Sequence, residues 1–198
     1  MKLQNSDILF EDNHLIIVNK PCGILVQGDK TGDTPLLDII KEYIKVKYSK
    51  QGDVFLGLVN RIDRPTSGIV IFAKTSKALS RMNEKLKKPE IKKLYWLIIS
   101  NSKHGLLNYR KIEILDKYSK IEVDLITGRH HQIRCSFSEI GFPILGDLKY
   151  GSKRSNKDGG IYLHSREIYF THPVTKEEIN IKAEPPKSGL WSASPSDL

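Results

Sequence analysis

Residues 55–73 read FLGLVNRIDRPTSGIVIFA, two apolar runs on either side of a short polar segment. The runs at 55–62 and 69–73 are rich in β-branched and aromatic residues, which predicts two strands. The segment between them contains aspartate, proline, serine and glycine, residue types that favour tight turns. Asp63 is therefore predicted to lie where a strand ends.

Further strands and helices are predicted on both sides of this stretch. Residues 8–10 and 15–18 are predicted strands, and Thr34 and Pro35 mark the start of a helix that ends near Lys47. Ser76 is predicted to cap a second helix that stops before Pro89. The remaining predicted elements are strands at 94–99, 111–115, 120–125, 161–170 and 178–182 and a helix at about 132–139.

The order and number of these elements predict the fold class. A chain of 198 residues has the length of one well-packed domain. Because most strands follow one another and helices are few, we expect an α+β fold with a largely antiparallel mixed sheet flanked by a few helices. We expect one domain over residues 1–198, with a core at about 8–186 and a short C-terminal tail.

The charge of the chain favours a polyanionic partner. Lysine and arginine number 32 against 23 acidic residues, which gives a net charge of +9 and a pI near 9.4. Nucleic acid is the leading partner and an anionic membrane surface the second, while a basic surface that only aids solubility is the simplest alternative. Other features must decide between them.

Cysteine content and missing motifs narrow the class of protein. Cys22 and Cys135 are too few for a disulfide framework and lack the spacing of a zinc site, which fits a reducing cytoplasm. The sequence contains no signal peptide and no segment that could span a bilayer. It also lacks the P-loop, dinucleotide-binding, zinc-protease and serine-hydrolase motifs. We therefore expect no cofactor and no membrane partner.

Two segments are richer in functional residue types than structure alone requires. In the first, Asp63 stands between Arg61 and Arg64, whose positive charge would favour an ionised carboxylate. The alternative for Asp63 is a turn residue that bonds its own backbone. The second segment is TGRHHQIR at 127–134, where basic side chains and an amide meet at a predicted helix start, a natural phosphate site.

Two histidines in the second segment raise the question of a metal. His130 and His131 are adjacent, and neighbouring side chains on regular structure point in different directions, so they are expected to make a poor chelate. No metal site is predicted. Cys135 beside them invites comparison with thiol enzymes, but a small buried hydrophobe is the simpler interpretation.

The first segment, NRIDRPTSG at 60–68, resembles the catalytic signature of the RluA-type pseudouridine synthases, usually His-Arg-Leu-Asp followed by a Thr-Ser-Gly turn. Other stretches resemble further motifs of that family, in order from about residue 8 to residue 186. They are ILFED at 8–12, VNKP at 18–21, KLY at 93–95, TGRHHQIR at 127–134, GFPILGD at 141–147, LH at 163–164 and THP at 171–173.

This chain departs from the family pattern at two positions and in extent. Asn60 replaces the usual histidine, and His130 replaces a residue that is more often threonine or serine, so we expect altered RNA contacts rather than lost chemistry. The resemblance covers the catalytic domain only, without the N-terminal RNA-binding domain of some relatives.

The resemblance implies an isomerase, an intramolecular transferase that converts uridines of ribosomal or transfer RNA to pseudouridine without a cofactor. It implies that Asp63 is the essential carboxylate, as nucleophile or as base, that Arg134 pairs with it, and that Tyr95 stacks on the target base and assists proton transfer. The expected RNA contacts come from Arg61, Arg64, Arg129, His131 and Gln132, with Arg61 filling the space that a flipped base leaves. The lysines at 85, 87 and 88 are expected to bind phosphates. We expect a monomer without an obligate protein partner.

Two other functions stay open from the sequence. A non-catalytic RNA-binding protein would explain the charge and most motifs, but not the joint presence of Asp63, Tyr95 and Arg134. A hydrolase that uses Cys135 with a histidine is the more distant alternative.

Overall fold

A computed structural model describes residues 7–100, 109–114 and 117–192. The predicted strand end at Leu115 and the last residues of the predicted tail, 193–198, lie outside this part of the chain. Within it the elements, in chain order, are β1 (Ile8–Glu11), β2 (Leu15–Lys20), α1 (Leu36–Lys47), β3 (Gly57–Leu58), β4 (Ser67–Ala73), α2 (Ser76–Lys87), β5 (Lys92–Ser100), β6 (Arg110–Ile114), β7 (Tyr118–Asp124), α3 (Gln132–Glu139), β8 (Leu163–Thr171) and β9 (Glu178–Lys182).

The strands form one mixed sheet of nine strands in the described residues. Its order is β1-β2-β4-β8-β5-β7-β6, with β3 paired to β4 and β9 paired to β8. Every pairing is antiparallel except that of β4 with β8, where Ser67 lies opposite His164 and Gly68 opposite Ser165. The prediction of an α+β fold with a largely antiparallel mixed sheet is confirmed.

The centre of the sheet is buried on both faces. Side chains of β2 and β4 alternate between two apolar layers, because successive residues of a strand point to opposite faces. One layer packs against α1 and α3 and contains Ile16, Val18, Val70 and Phe72. The other packs against α2 and contains Leu15, Ile17, Ile69 and Ile71. These strands therefore read as continuous apolar runs in the sequence.

The helices begin close to the predicted positions. Helix α1 starts at Leu36, one residue after the predicted start, with Pro35 still extended. The cap of α2 is Thr75 and not Ser76, because the Thr75 side chain accepts a hydrogen bond from the Ala78 N–H at 3.2 Å. Within the part of the chain that is described, none of the helices has both the length and the hydrophobicity needed to cross a bilayer.

The strand predicted at 55–62 is much shorter in the structure. Asn60 explains where it ends, because its side-chain Oδ1 accepts from the Ile71 N–H at 2.8 Å and its Nδ2 donates to the Ile69 carbonyl at 3.4 Å. The Asn60 amide thus takes the place of backbone partners along β4, and the chain leaves the sheet before Asp63. The altered RNA contact expected of Asn60 stays a prediction.

Candidate active site

The turn that carries Asp63 is fixed through its backbone. Three N–H groups bind the successive carbonyl oxygens of residues 63, 64 and 65. They belong to Thr66, Gly23 and Ile161, at N–O distances of 3.0, 2.8 and 3.0 Å. Thr66 belongs to the turn itself, whereas Gly23 and Ile161 come from distant parts of the chain, so the tertiary fold helps to hold the carboxylate in place.

Gly68 allows β4 to enter the sheet directly after this turn. Its φ of +111° is a conformation that side chains with a Cβ rarely adopt. A Cβ at this position would also collide with the backbone carbonyl of Ser165, the partner of Gly68 on β8. The glycine of the turn is therefore required by the close approach of two backbones.

Lys20 is a buried support of the same turn that the sequence did not predict. Its Nζ donates to the carbonyl oxygens of Pro21, Ile24 and Arg64 at 2.9, 2.9 and 3.2 Å. Burial lowers the pKa of Lys20 to about 7, although the nearby charge of Asp63 acts in the opposite direction. The only signal in the sequence was its place in the VNKP stretch.

Arg134, on α3, joins Asp63 to a second carboxylate. Arg134 Nη1 donates to Asp63 Oδ2 at 2.9 Å, while Nε and Nη2 donate to the two oxygens of Asp147 at 2.7 and 2.8 Å. Arg134 and Asp147 are 5% and 1% exposed, whereas the Asp63 side chain keeps 24% of its surface in solvent. Burial opposes the charge of Arg134, but both carboxylates outweigh it and raise the pKa of Arg134 above its usual value.

The resemblance implied the contact of Arg134 with Asp63, and the structure contains it. Asp147 was not predicted as part of the site. Its sequence signal is the Gly-Asp pair that closes GFPILGD at 141–147. The bidentate pair fixes the guanidinium, so that Nη1 is directed at the partly exposed carboxylate of Asp63.

The residue that precedes α3 has a left-handed backbone conformation. His131 has φ 54° and ψ 22°, a left-handed conformation that is uncommon outside glycine. Its ring stacks on that of His130 at a centroid distance of 3.7 Å. The expectation that these two rings point apart is wrong, because it assumed regular structure and neither residue is in a helix or strand.

His131 is directed at Asp63 by a partner on its other side. Its Nδ1 lies 2.8 Å from the hydroxyl of Tyr150, and its Nε2 lies 3.5 Å from Asp63 Oδ1. Burial lowers the pKa of His131; the charge of Asp63 opposes this and that of Arg134 adds to it. His131 therefore borders the carboxylate directly, a position that the expectation of an RNA contact did not specify.

Gln132 has a structural task at the same helix start. Its side-chain oxygen accepts from the Thr127 hydroxyl at 2.8 Å and from the Arg129 N–H at 3.1 Å. These bonds close the turn that precedes α3. Its amide nitrogen alone is left for the RNA contact expected of Gln132.

Tyr95 lies on β5, the strand next to β8 in the sheet. Its neighbours across the sheet are Val123 and Ser165, and its side chain is buried. Burial raises the pKa of Tyr95; the Ser165 hydroxyl opposes this shift and the charge of Asp63 adds to it. Tyr95 is thus a neutral phenol at physiological pH.

A cleft of about 490 Å³ brings the predicted catalytic residues together. Asp63, Tyr95 and Arg134 line it, and so do the exposed cations Arg61 and Arg129. This volume is within the range of sites that hold a small molecule or a nucleobase with its sugar. The arrangement offers a carboxylate, an aromatic face and a cationic rim to one ligand.

Two predicted cations are turned elsewhere. Arg64 does not border the cleft; its Nη2 pairs with Asp33 at 2.8 Å and its Nε donates to the Gly23 carbonyl at 2.9 Å. The expectation that Arg64 flanks the Asp63 carboxylate is therefore wrong. Lys85 pairs with Glu90 at 3.0 Å, while Lys87, the last residue of α2, lines the cleft.

Cys135 is not arranged as a nucleophile. Its Sγ donates to Glu139 Oε1 at 3.2 Å, and that hydrogen bond raises the pKa of the thiol. Catalytic cysteines need a lowered pKa, because the thiolate is the reactive form. The geometry thus weighs against a thiol hydrolase.

Known proteins resemble this chain over most of its described length. A sequence model of the family described as RNA pseudouridylate synthase matches residues 14–139. The ribosomal large subunit pseudouridine synthase C of Buchnera aphidicola subsp. Acyrthosiphon pisum (strain APS) is 33% identical over 89% of this chain and 66% of its own length. An uncharacterized RNA pseudouridine synthase of Bacillus subtilis (strain 168) is 32% identical over 89% and 68%. The chain thus spans about two thirds of the length of these curated relatives.

Solved structures share the fold at lower sequence identity. Human RNA Pseudouridylate Synthase Domain Containing 4 superimposes with a TM-score of 0.75 at 20% identity, covering 91% of this chain and 88% of its own. Human RNA Pseudouridylate Synthase Domain Containing 1 does so with a TM-score of 0.65 at 17% identity, covering 94% and 87%. The RluA-type resemblance of the motifs is confirmed, and the chain belongs to the RNA pseudouridylate synthase family.

Proposed function

We propose that this protein isomerises uridines in RNA to pseudouridine, with Asp63 as the essential carboxylate. The observation that carries the proposal is the geometry at Asp63. Oδ2 is held by the buried guanidinium of Arg134, while the side chain lines the cleft and remains partly open to solvent. A fixed and accessible carboxylate is the group that this reaction needs.

The chemistry explains why a carboxylate suffices. The reaction breaks the bond between uracil N1 and the sugar C1′, turns the base, and joins C5 to C1′, so that substrate and product have the same atoms. A carboxylate beside C1′ can trap or stabilise the positive charge that develops there, as in glycosidases. Asp63 acts either as nucleophile toward the sugar or as the base that begins elimination across it. No cofactor is required by the atom balance of either route.

Arg134 and Asp147 prepare Asp63 for this step. Asp147 offsets the charge of Arg134 and orients its guanidinium, which is therefore preorganised to bind Asp63. The charge-assisted hydrogen bond from Arg134 Nη1 holds Asp63 Oδ2 in place when RNA displaces water from the cleft. Arg134→Ala is expected to lower turnover nearly as much as Asp63→Ala.

Tyr95 and Arg61 are assigned to the substrate. The target uridine must leave its stack to present C1′, at a cost of a few kcal/mol. We assign Tyr95 to stack on the flipped base and to assist proton transfer from C5, and Arg61 to fill the vacated space. Arg129, His131 and Lys87 border the same cleft and are assigned to the RNA backbone around the target.

Ribosomal RNA is the substrate class we favour. The support is indirect and comes from the names of relatives, several of which are ribosomal large subunit pseudouridine synthases. Transfer RNA is the second class. We further infer a cytoplasmic monomer without an obligate protein partner, in which Cys22 and Cys135 are free thiols.

The test is release of tritium from RNA labelled at uridine C5. Total bacterial RNA, separated into ribosomal and transfer RNA, is incubated with the protein or with Asp63→Ala, without added metal or nucleotide. We expect release by the native protein and none by the variant. Equal release by both would refute the role of Asp63, and no release with tight RNA binding would favour the non-catalytic alternative. The two RNA pools decide the substrate class in the same experiment.

A further inference from the structure

Three possible metal ligands lie close together at the turn that carries Asp63. Asp63, His130 and His131 each place a ligand atom so that all three atoms lie within 4.8 Å of one another. In the described part of the chain this is the one group of at least three histidine, cysteine or acidic side chains that meets this distance. Two imidazole nitrogens and one carboxylate oxygen form a ligand set that Zn²⁺ commonly accepts.

The distance between two of these atoms fits shared coordination. His131 Nε2 and Asp63 Oδ1 are 3.5 Å apart, which is longer than an ordinary hydrogen bond between nitrogen and oxygen. Ligand bonds of about 2.0–2.1 Å in a tetrahedral site place two ligand atoms roughly 3.3 Å from each other. The pair therefore needs to move by only a few tenths of an ångström to share an ion.

Tyr150 and Arg134 orient the two ligand atoms, His131 Nε2 and Asp63 Oδ1. Tyr150 binds Nδ1 of His131 at 2.8 Å, the kind of outer contact that orients a ligating imidazole and directs its other nitrogen toward the metal. Arg134 occupies Oδ2 of Asp63, so Oδ1 is the oxygen that faces His131. The charge of Arg134 is itself offset by two bonds to Asp147, which leaves one net negative charge among these three groups.

His130 supplies the third ligand. Its side chain is exposed. Its ring lies against that of His131, at 3.7 Å between centroids and 22° between planes. An exposed imidazole turns about its side-chain bonds without disturbing the core, so it can align a nitrogen with the other two ligands.

We propose that Asp63, His130 and His131 bind one divalent transition-metal ion of the Zn²⁺ class, with water as the fourth ligand, and that the bound ion blocks the carboxylate. The binding stands on the geometry alone. The inhibition rests on the proposed function, because an ion on Oδ1 withdraws the carboxylate from the sugar. Mg²⁺ should not compete, because it prefers oxygen ligands in octahedral geometry.

Metal binding is tested without RNA. Zn²⁺ is titrated calorimetrically into the full chain, and Co²⁺ is added in parallel because its visible spectrum reports a tetrahedral site. We expect one ion per chain, binding at least about tenfold weaker in His130→Ala, and about tenfold weaker in Tyr150→Phe through loss of the outer contact. His14→Ala is the matched control, since the His14 ring neighbours that of His172 and His14 is not one of the three ligands; it should bind like the native protein.

Two results would overturn the site. One is the absence of binding by the native chain, and the other is equal affinity in the native chain and His130→Ala, which would place the ion elsewhere. Circular dichroism of each variant confirms that it is folded, and His130→Thr, the residue type more usual in the family, repeats the test if His130→Ala is not.

Inhibition is measured as tritium release with and without Zn²⁺, each variant being compared with its own metal-free rate. We expect strong inhibition of the native protein, reversal by EDTA, and little inhibition of His130→Ala. A native protein that binds Zn²⁺ at this site yet keeps its full rate would overturn the inhibitory role. A protein that binds Zn²⁺ but never releases tritium refutes the proposed function and leaves the binding site intact.

Discussion

Asp63 and Asp147 share Arg134, and their replacement by asparagine should separate activity from stability. Asp147→Asn keeps the shape of the side chain but removes its charge and one of the two oxygens that accept from Arg134 at 2.7 and 2.8 Å. Arg134 is buried, so it cannot recover this loss from water. Asp63→Asn removes a charge from a side chain that is 24% exposed and makes one bond to Arg134.

The expected sizes follow from this difference in burial. Breaking a buried ion pair by removing one partner costs about 3–5 kcal/mol. In Asp147→Asn, Arg134 keeps only the partly exposed carboxylate of Asp63 as its counter-charge. For a chain of this length a cost of that size corresponds to a fall in Tm of roughly 6–20 °C. Loss of the single, partly exposed bond in Asp63→Asn should cost about 1 kcal/mol or less.

Urea unfolding and tritium release measure the two effects. We expect Asp147→Asn to unfold at a clearly lower urea concentration while it keeps measurable turnover at low temperature. Asp63→Asn should unfold near the native midpoint and show no turnover. The reasoning is refuted if Asp147→Asn has the native urea midpoint, or if Asp63→Asn is the less stable of the two.

Four further predictions concern the turn, the sheet and the RNA. Tyr95→Phe should bind RNA with native affinity but release tritium more slowly, in a filter-binding and single-turnover comparison; an unchanged rate would limit Tyr95 to stacking. Gly68→Ala should lose at least about 2 kcal/mol in urea unfolding, because a Cβ meets the Ser165 carbonyl and the left-handed φ is strained; native stability would contradict the close approach. The pKa of Lys20 is about 7 in the folded protein and near 10.5 in the unfolded chain, so the unfolded chain binds more protons between these pH values and the free energy of unfolding should rise with pH there. The urea midpoint of Lys20→Met should rise less between pH 7 and pH 9.5 than that of the native protein. An equal rise in both proteins would speak against this role of Lys20. RNA affinity should fall with salt, with a slope of about 0.7 on logarithmic axes for each phosphate contact to single-stranded RNA; a flat response would exclude the cationic rim as the binding surface.

Local sequence predicted the order of elements well and their ends less well. Apolar runs identify β2 and β4 as strands, because burial needs this pattern. Thr34 and Pro35 indicate the start of α1. The end of β3 was not visible, since it depends on the Asn60 amide binding the backbone of a strand about ten residues away. In a sequence, an asparagine whose side chain binds the backbone of a neighbouring strand cannot be told from any other polar residue.

Some residues of the site were likewise predicted from the sequence and others were missed. Asp63, Arg134 and Tyr95 were predicted from motifs, and they line one cleft. Lys20 and Asp147 were missed, because a lysine and an aspartate are usually exposed and their burial here depends on partners from distant segments. The Arg64 side chain was expected beside the Asp63 carboxylate and instead pairs with Asp33, because proximity in the sequence said nothing about the direction of the side chain. Its expected RNA contact stays a prediction.

The sequence by itself determined the family and the α+β class and predicted Asp63 as the essential carboxylate, because these depend on residue types in a fixed order. Only the tertiary structure decided which charges are neighbours. Backbone donors of Gly23 and Ile161, from two distant segments, fix the turn. Asp147 holds Arg134 against Asp63, and the left-handed conformation of His131 brings two imidazoles to the same carboxylate. Electrostatic and coordinate interactions depend on distances of a few ångströms, and residues far apart in the chain acquire such distances only when it folds.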